Sequence, residues 1–308
     1  MIHEIFPKVF HNHYDPGKTA LPESPVMCFR GRQLLCRVDG DQISYPSAAQ
    51  LAEAAPEAAA GSAAGSAGAE IAPQAEDPYS GLVFLFDISS EDYFLCPGAG
   101  PEPFGGFEYR DISVYGKVFP LDRAYAAIIA FHLNNWYESE RFCGHCGHRL
   151  VRDGKERAMR CPECGNIIYP RINPCVIVGV IHDGKILTTQ YNRPNAGMFA
   201  LIAGFAEIGE SIEETVAREV MEEVGLRVKD LKFYRSEPWG MSSSLLHGFY
   251  CRVDGDPTAK PDGEEIAAAR WWTAEQLQEC YTPSHVALTS EMITKFMRKE
   301  VTEESLWG

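Results

Sequence analysis

Between Gly204 and Gly225 the chain carries seven glutamates and a single arginine, a local charge of −6 in a stretch that reads GFAEIGESIEETVAREVMEEVG. At about 100° per residue, Ile212, Val216, Val220 and Val224 fall on one apolar stripe, which predicts a helix over 211–224. Glu219 and Glu223 sit on the margin of that stripe and Glu222 lies just beyond it. Carboxylates four residues apart repel one another, and partial burial makes the repulsion worse. The ordinary form of such a cluster is a solvated acidic face. A divalent cation gives it another use, because hard Mg²⁺ or Mn²⁺ accepts carboxylate oxygens and bridges them to phosphate, so that an acidic pocket holds an acidic substrate. Gly204 and Gly209 permit tight turns in the loop leading in, and Ser211 is placed to cap the helix.

A second constellation lies upstream. Cys143-x-x-Cys146 and Cys161-x-x-Cys164 are separated by 14 residues, and a glycine follows each second cysteine (Gly147, Gly165). Two such knuckles supply the four vertices of a tetrahedral Zn²⁺ site, and four thiolates leave no position for water, so the expected zinc is structural. A pair of disulfides or unligated thiols is the competing reading, disfavoured by the absence of a secretion signal. His145 and His148 read as surface residues, and Cys28, Cys36, Cys96, Cys175, Cys251 and Cys280 as small core or surface residues. A zinc ribbon is also a nucleic-acid module. Here Arg141, Arg149, Arg152, Lys155, Arg157 and Arg160 are interspersed with Asp153, Glu156 and Glu163 and lack an aromatic stacking series, which favours a folding staple or dimer contact.

The elements that must position these groups follow from composition and pattern. A chain of 308 residues allows two or three folded units. Its 28 basic against 43 acidic residues give a net charge of −15, which excludes gripping of nucleic-acid phosphates by bulk electrostatics. The opening MIHEIFPKVFHNHYD has no basic-then-apolar signal pattern and no apolar run of about 18 residues occurs, so the expected setting is cytoplasmic and without a membrane. Short strands are expected in residues 1–45 and again from residue 81. Between them, residues 46–78 hold 14 Ala, 3 Gly, 4 Pro and 3 Ser in 33 positions, too little large apolar surface to order themselves, and read as a mobile insertion with an Ala-rich helix in part. An amphipathic helix is expected over 122–140. After the cysteines come strand-like runs at 175–181, 185–191, 228–234 and 245–253, with a final helix over 284–299 presenting Val286, Ile293 and Phe296. The expected architecture is α+β with a mixed sheet covered on both faces, divided as a β-rich domain 1–138, a zinc ribbon 139–169 and a third domain 170–308.

Gly204, five residues, Glu210, seven residues, then Arg218-Glu219-Val220-x-Glu222-Glu223-x-Gly225-Leu226 resembles the defining box of the Nudix hydrolases at every fixed position. The order of β domain, cysteine knuckles, Tyr169-Pro170-Arg171, box and Ser236-Glu237-Pro238-Trp239 is similar to the NADH pyrophosphatase family over most of the chain. The resemblance implies a Nudix α/β/α sandwich. It implies attack of water on the pyrophosphate of NAD(H) to give AMP and nicotinamide mononucleotide, and removal of NAD caps from RNA as in related enzymes. It further implies that Glu219, Glu222, Glu223 and, outside the box, Glu265 bind Mg²⁺ or Mn²⁺, with one of the box glutamates assisting deprotonation of water and Arg218 orienting them. Phe205 and Trp239 would contact substrate, Tyr169 would reach a neighbouring subunit's pocket in a homodimer, and Ser284 to Ala287 would line the nucleotide pocket. The chain departs from the family at Glu237, where Gln is usual, and at Gly240-Met241-Ser242, where two prolines and a Phe are lost. The alternatives are another nucleoside diphosphate derivative as substrate, such as ADP-ribose or a diadenosine compound, or a non-catalytic nucleotide-sensing or RNA-binding module.

Overall fold

The computed structural model describes residues 3–60, 77–194, 196–284 and 286–308. The chain forms two compact units, one of Ile2–Arg171 with Gly240–Ser242, the other of Ile172–Trp239 with Ser243–Gly308.

In the first unit a seven-stranded sheet runs in the order Phe10–His11, Val83–Ile88, Glu91–Cys96, Val26–Arg30, Gln33–Asp39, Gln42–Ser44, with Glu108–Asp111 paired to Gln33–Asp39. Val83–Ile88 is buried at every position, because both faces are covered. Cys28, Phe84 and Phe94 pack with Ala48, Leu51 and Ala59, while Phe29 meets Phe131 of the helix Leu121–Ser139 with ring centroids 5.8 Å apart. Of the Ala-rich stretch 46–78, Ala48–Ala54 and Pro56–Ala60 are helical, the first with a capping box of Ser47 and Gln50; residues 61–76 of the expected insertion lie outside the described residues. The unit ends in a ribbon of three two-residue strands, Val151–Arg152, Met159–Arg160 and Ile167–Ile168.

The second unit contains β1 (Asn173–His182), β2 (Lys185–Tyr191), β3 (Ile202–Phe205), α1 (Ile212–Val224), β4 (Val228–Trp239), β5 (Ser244–Val253), β6 (Ile266–Thr273), α2 (Ala274–Cys280), α3 (Leu288–Met297) and α4 (Glu303–Trp307). The sheet order is β4-β5-β1-β2-β6, with β3 paired to β1. β1 and β5 are parallel and the other named pairs antiparallel, so the sheet is mixed. Period-two alternation along β1 sends Val176, Val178 and Val180 to one core with Val216, Val220 and Val224 of α1. It sends Cys175, Ile177 and Ile181 to the other with Leu277 of α2 and Leu288, Met292, Ile293 and Phe296 of α3. Because both faces are covered, the strand reads as one apolar run, and the result is the expected helix-sheet-helix sandwich. The expected final helix over 284–299 is shorter, Leu288–Met297, and α4 follows it.

Candidate active site

Helix α1 is fixed at both ends by its own residues. Ser211 accepts the Glu214 N–H and Glu214 returns a bond to the Ser211 backbone, while Gly225 closes the C-terminus at φ 67°. With the valine stripe turned to the sheet, Glu223 is only 4% exposed. Its Oε2 is buried without a hydrogen-bond partner. Burial first, then the charges of Glu265 and Glu219, push the Glu223 carboxyl up to about 8. Glu219 is also raised by burial, against the pull of Arg218.

Arg218 ties the acidic loop to the helix. Its Nε and Nη2 donate to Glu210 Oε1 and Oε2 at 2.6 and 2.9 Å, Nη1 donates to Glu219 Oε1 and Glu222 Oε2 at 2.8 and 2.9 Å, and Nη2 also reaches the Phe205 carbonyl at 2.9 Å. The guanidinium, with the Glu207 N–H and the Thr215 hydroxyl, holds Glu210 down to about 2. A β-carbon at Gly204 would overlap the Glu219 carboxylate, so the glycine there serves close approach and not a turn. Gly209, at φ 97°, does need its conformational freedom.

Glu265 enters from the loop before β6. Asp262 accepts the N–H groups of Glu264, Glu265 and Ile266, an Asx-type turn that fixes this loop. The structure thus brings Glu219, Glu223 and Glu265 within electrostatic reach of one another, while Glu222 stays exposed at the edge on Arg218. These oxygens suit a hard divalent ion: the set is purely carboxylate, and one member has an orphaned buried oxygen. They are not gathered to ligand spacing, as Mg²⁺ that keeps several waters does not require.

The four thiols of the first unit are gathered. Among the described residues, Cys143, Cys146, Cys161 and Cys164 form the one group of three or more candidate ligand atoms lying within 4.8 Å of one another. Sulfur separations of 3.6, 3.4 and 3.5 Å for Cys143–Cys164, Cys146–Cys161 and Cys146–Cys164 approach the edge of about 3.8 Å that a tetrahedron with Zn–S of about 2.3 Å requires. The knuckles are alike: Gly147 N–H donates to the Cys143 carbonyl at 2.8 Å and Gly165 N–H to that of Cys161 at 3.0 Å, both glycines at positive φ. Backbone N–H groups of Cys146 and His145 draw the Cys143 thiol below its ordinary range, and those of Cys164 and Glu163 do the same for Cys161. The site fits a structural zinc. The six other cysteines have no such grouping; Cys280 is exposed and the rest are buried.

Residues 173–292 match the NUDIX domain and residues 138–169 the NADH pyrophosphatase zinc ribbon domain. Proteins designated NAD-capped RNA hydrolase NudC are similar. The relative from Shigella flexneri serotype 5b is 40% identical over 221 residues, 70% of this chain and 85% of that protein. The chain belongs to the zinc-ribbon branch of the Nudix family. The relative from Pectobacterium carotovorum is 41% identical over 155 residues, 50% of this chain, and the match spans only 59% of that protein's length. A solved Nudix hydrolase from Nitrosomonas europaea aligns at a TM-score of 0.42 and 19% identity over 52% of this chain and 92% of that one.

Within the Nudix domain, Phe205 ends β3 and is 51% exposed, and Trp239 ends β4, half-buried against the α3-side core. Ser284 is exposed, its N–H donating to Ser290 Oγ at 2.7 Å, and Ala287 is the N-cap of α3. Tyr169 belongs to the first unit, exposed, with its hydroxyl donating to Glu156 Oε1 at 2.9 Å. Glu237 is fully buried in β4, opposite Leu246 of β5, so its replacement of the usual Gln falls inside the fold. Sequence reasoning gave no role to Asp262, although Asp262-Gly263 was a readable turn signal, nor to Tyr191 and Arg193, which no local pattern marks.

Proposed function

We propose that the protein hydrolyses the pyrophosphate of NAD(H), free and as the 5′ cap of RNA, in a divalent-metal-dependent reaction that releases nicotinamide mononucleotide, with AMP or 5′-monophosphate RNA as the other product. The observation that carries the reading is the Arg218-ordered carboxylate cluster with the orphaned Glu223 oxygen, in a chain that joins a Nudix domain to the NADH pyrophosphatase type of ribbon. In this reading Glu219, Glu223 and Glu265 hold Mg²⁺ or Mn²⁺. Bound there, the ion would supply charge neutralisation at the pyrophosphate oxygens and a lowered pKa for water. Arg218 spends its donors on Glu210, Glu219 and Glu222 and so orients the carboxylates without touching the substrate. Glu222, held on Arg218 through one oxygen and otherwise exposed, accepts the proton of the attacking water in this reading. Phe205, exposed beside the Arg218 anchor, offers a ring to a base, and Trp239, Ser284 and Ala287 complete the nucleotide contacts.

The same reading takes the enzyme as a homodimer, with Tyr169 reaching the second subunit, and as cytoplasmic; no helix among the described residues is long and apolar enough to cross a membrane. Light scattering decides the dimer. For the reaction, NADH, ADP-ribose, a diadenosine compound and an NAD-capped oligoribonucleotide are incubated with Mn²⁺ and the products separated chromatographically. Nicotinamide mononucleotide from NADH and from the capped RNA is expected. Intact NADH beside cleaved ADP-ribose would overturn the substrate assignment.

A further inference from the structure

The net charge of −15 and the acidic box leave a polyanionic strand with little to hold it, and Arg218 is fully engaged by carboxylates and the Phe205 carbonyl. Among the described residues, Arg193 is a cation joined to the cluster through Tyr191. Arg193 follows β2 in the turn after Tyr191, its N–H donating to the Tyr191 carbonyl at 2.9 Å and its carbonyl accepting from Ala196 at 3.2 Å. Its guanidinium lies 5.1 Å from the centroid of the Tyr191 ring. Tyr191 pairs with Ile266, the residue after Glu265, across a bulge in the β2–β6 ladder. Asn192 clamps the two segments together, its N–H donating to the Glu265 carbonyl at 2.7 Å and its Nδ2 to the Gly263 carbonyl at 2.9 Å. Tyr191 therefore has Glu223 and Glu265 near it as well as Arg193: burial and the two carboxylates push its phenol up to about 12, and the arginine opposes them. Arg193 is exposed and has no carboxylate partner among the described residues. A planar cation stacked on a ring, held by a turn, and left without a counter-ion is preorganised for a phosphate.

We infer that Arg193, stacked on Tyr191 at the rim of the carboxylate site, contacts a phosphodiester of an RNA strand beyond the pyrophosphate, and so favours a capped strand over the free dinucleotide. The inference rests on the function proposed above. The pyrophosphate itself is the part of the substrate that the divalent ion neutralises, whereas an exposed arginine outside the cradle faces the part of a longer substrate that leaves it.

The test compares NADH with an NAD-capped ten-nucleotide RNA as substrates of the full chain, as a function of salt. For R193A the loss of one charged contact lowers kcat/KM on the capped RNA about tenfold more than on NADH. The slope of log kcat/KM against log salt on the RNA becomes shallower by about 0.7, the contribution of one phosphate contact on a single strand. R193K retains the slope, and Tyr191→Leu, which removes the ring that orders the guanidinium, falls between wild type and R193A on the capped RNA. Equal losses on both substrates, or an unchanged salt slope, overturn the inference while leaving the proposed function standing. Wild-type protein that cleaves neither substrate overturns the proposed function instead.

Discussion

Glu223 is the residue at which burial and charge are most opposed. An unfolded glutamate ionises near pH 4.3, while in the fold, without a divalent ion, the carboxyl is pushed up to about 8. A carboxyl raised in the fold stabilises it where protonated; that contribution is complete below the unfolded value and is lost progressively as pH rises toward 8. In buffer without added Mg²⁺, the urea midpoint of the wild type is therefore expected to fall between pH 5 and 8 more than that of E223Q, and Mg²⁺ is expected to restore it at pH 8. Parallel profiles for the two proteins would remove the assigned cause. In turnover, E222Q and E223Q are each expected to lose about a hundredfold or more, and rates near wild type would exclude the cluster from catalysis. Gly204 makes a finer test. Because an added methyl meets the far end of the Glu219 side chain and not backbone, G204A is expected to displace that carboxylate, with a fall in kcat of at least about tenfold and little change in the urea midpoint. Unaltered kcat would show that the position of Glu219 is not critical.

Helix α1 was legible as an element because its signals agree: an N-cap serine with Glu214 at N3, an apolar stripe of Ile212 and three valines, and a glycine at the C-terminus. S211A is expected to cost about 1 kcal/mol in urea denaturation; an unchanged midpoint would mean that tertiary packing alone holds the first turn. The strands β1, β2 and β5 were readable from runs of β-branched, aromatic and other apolar residues, to within about two residues of their observed ends. β3 and β6 were not. β3 is four residues long, with Gly204 in a strand and Phe205 pointing outward, too short for any period to register. β6 begins Ile266-Ala267-Ala268-Ala269, a composition that favours helix, and becomes a strand because its partner β2 supplies the ladder. The same gap hid Tyr191 and Arg193, whose place beside Glu265 is created by the β2–β6 register and not by anything within their own segment.

At the scale of the molecule, the two units are held by different means. The Nudix unit has two cores of its own, one on each side of its sheet, built from residues between Cys175 and Val301. The ribbon at the end of the first unit has strands of only two residues, and pairs that short contribute too little burial to persist without a staple. Metal ligation supplies it: the free energy of zinc binding to such a site is folding free energy, because the site does not exist in the unfolded segment. One zinc per chain is expected by elemental analysis, and none in C161S. In that variant, trypsin is expected to cut readily at Arg149, Arg152, Lys155, Arg157 and Arg160, which lie in, beside and between the short strands, while a fragment of roughly residues 172–308 resists because its cores contain none of the four cysteines. Equal protection of the ribbon in wild type and C161S would mean that contacts such as the Arg160–Asp153 ion pair at 2.6 Å and the Arg157–Leu85 carbonyl bond at 2.6 Å hold it without metal. Charge-assisted contacts of this kind contribute about 1–3 kcal/mol each, and two of them fall well short of what ordering some 25 residues costs at about 1–2 kcal/mol per residue, so the zinc-dependent outcome is the one the magnitudes favour.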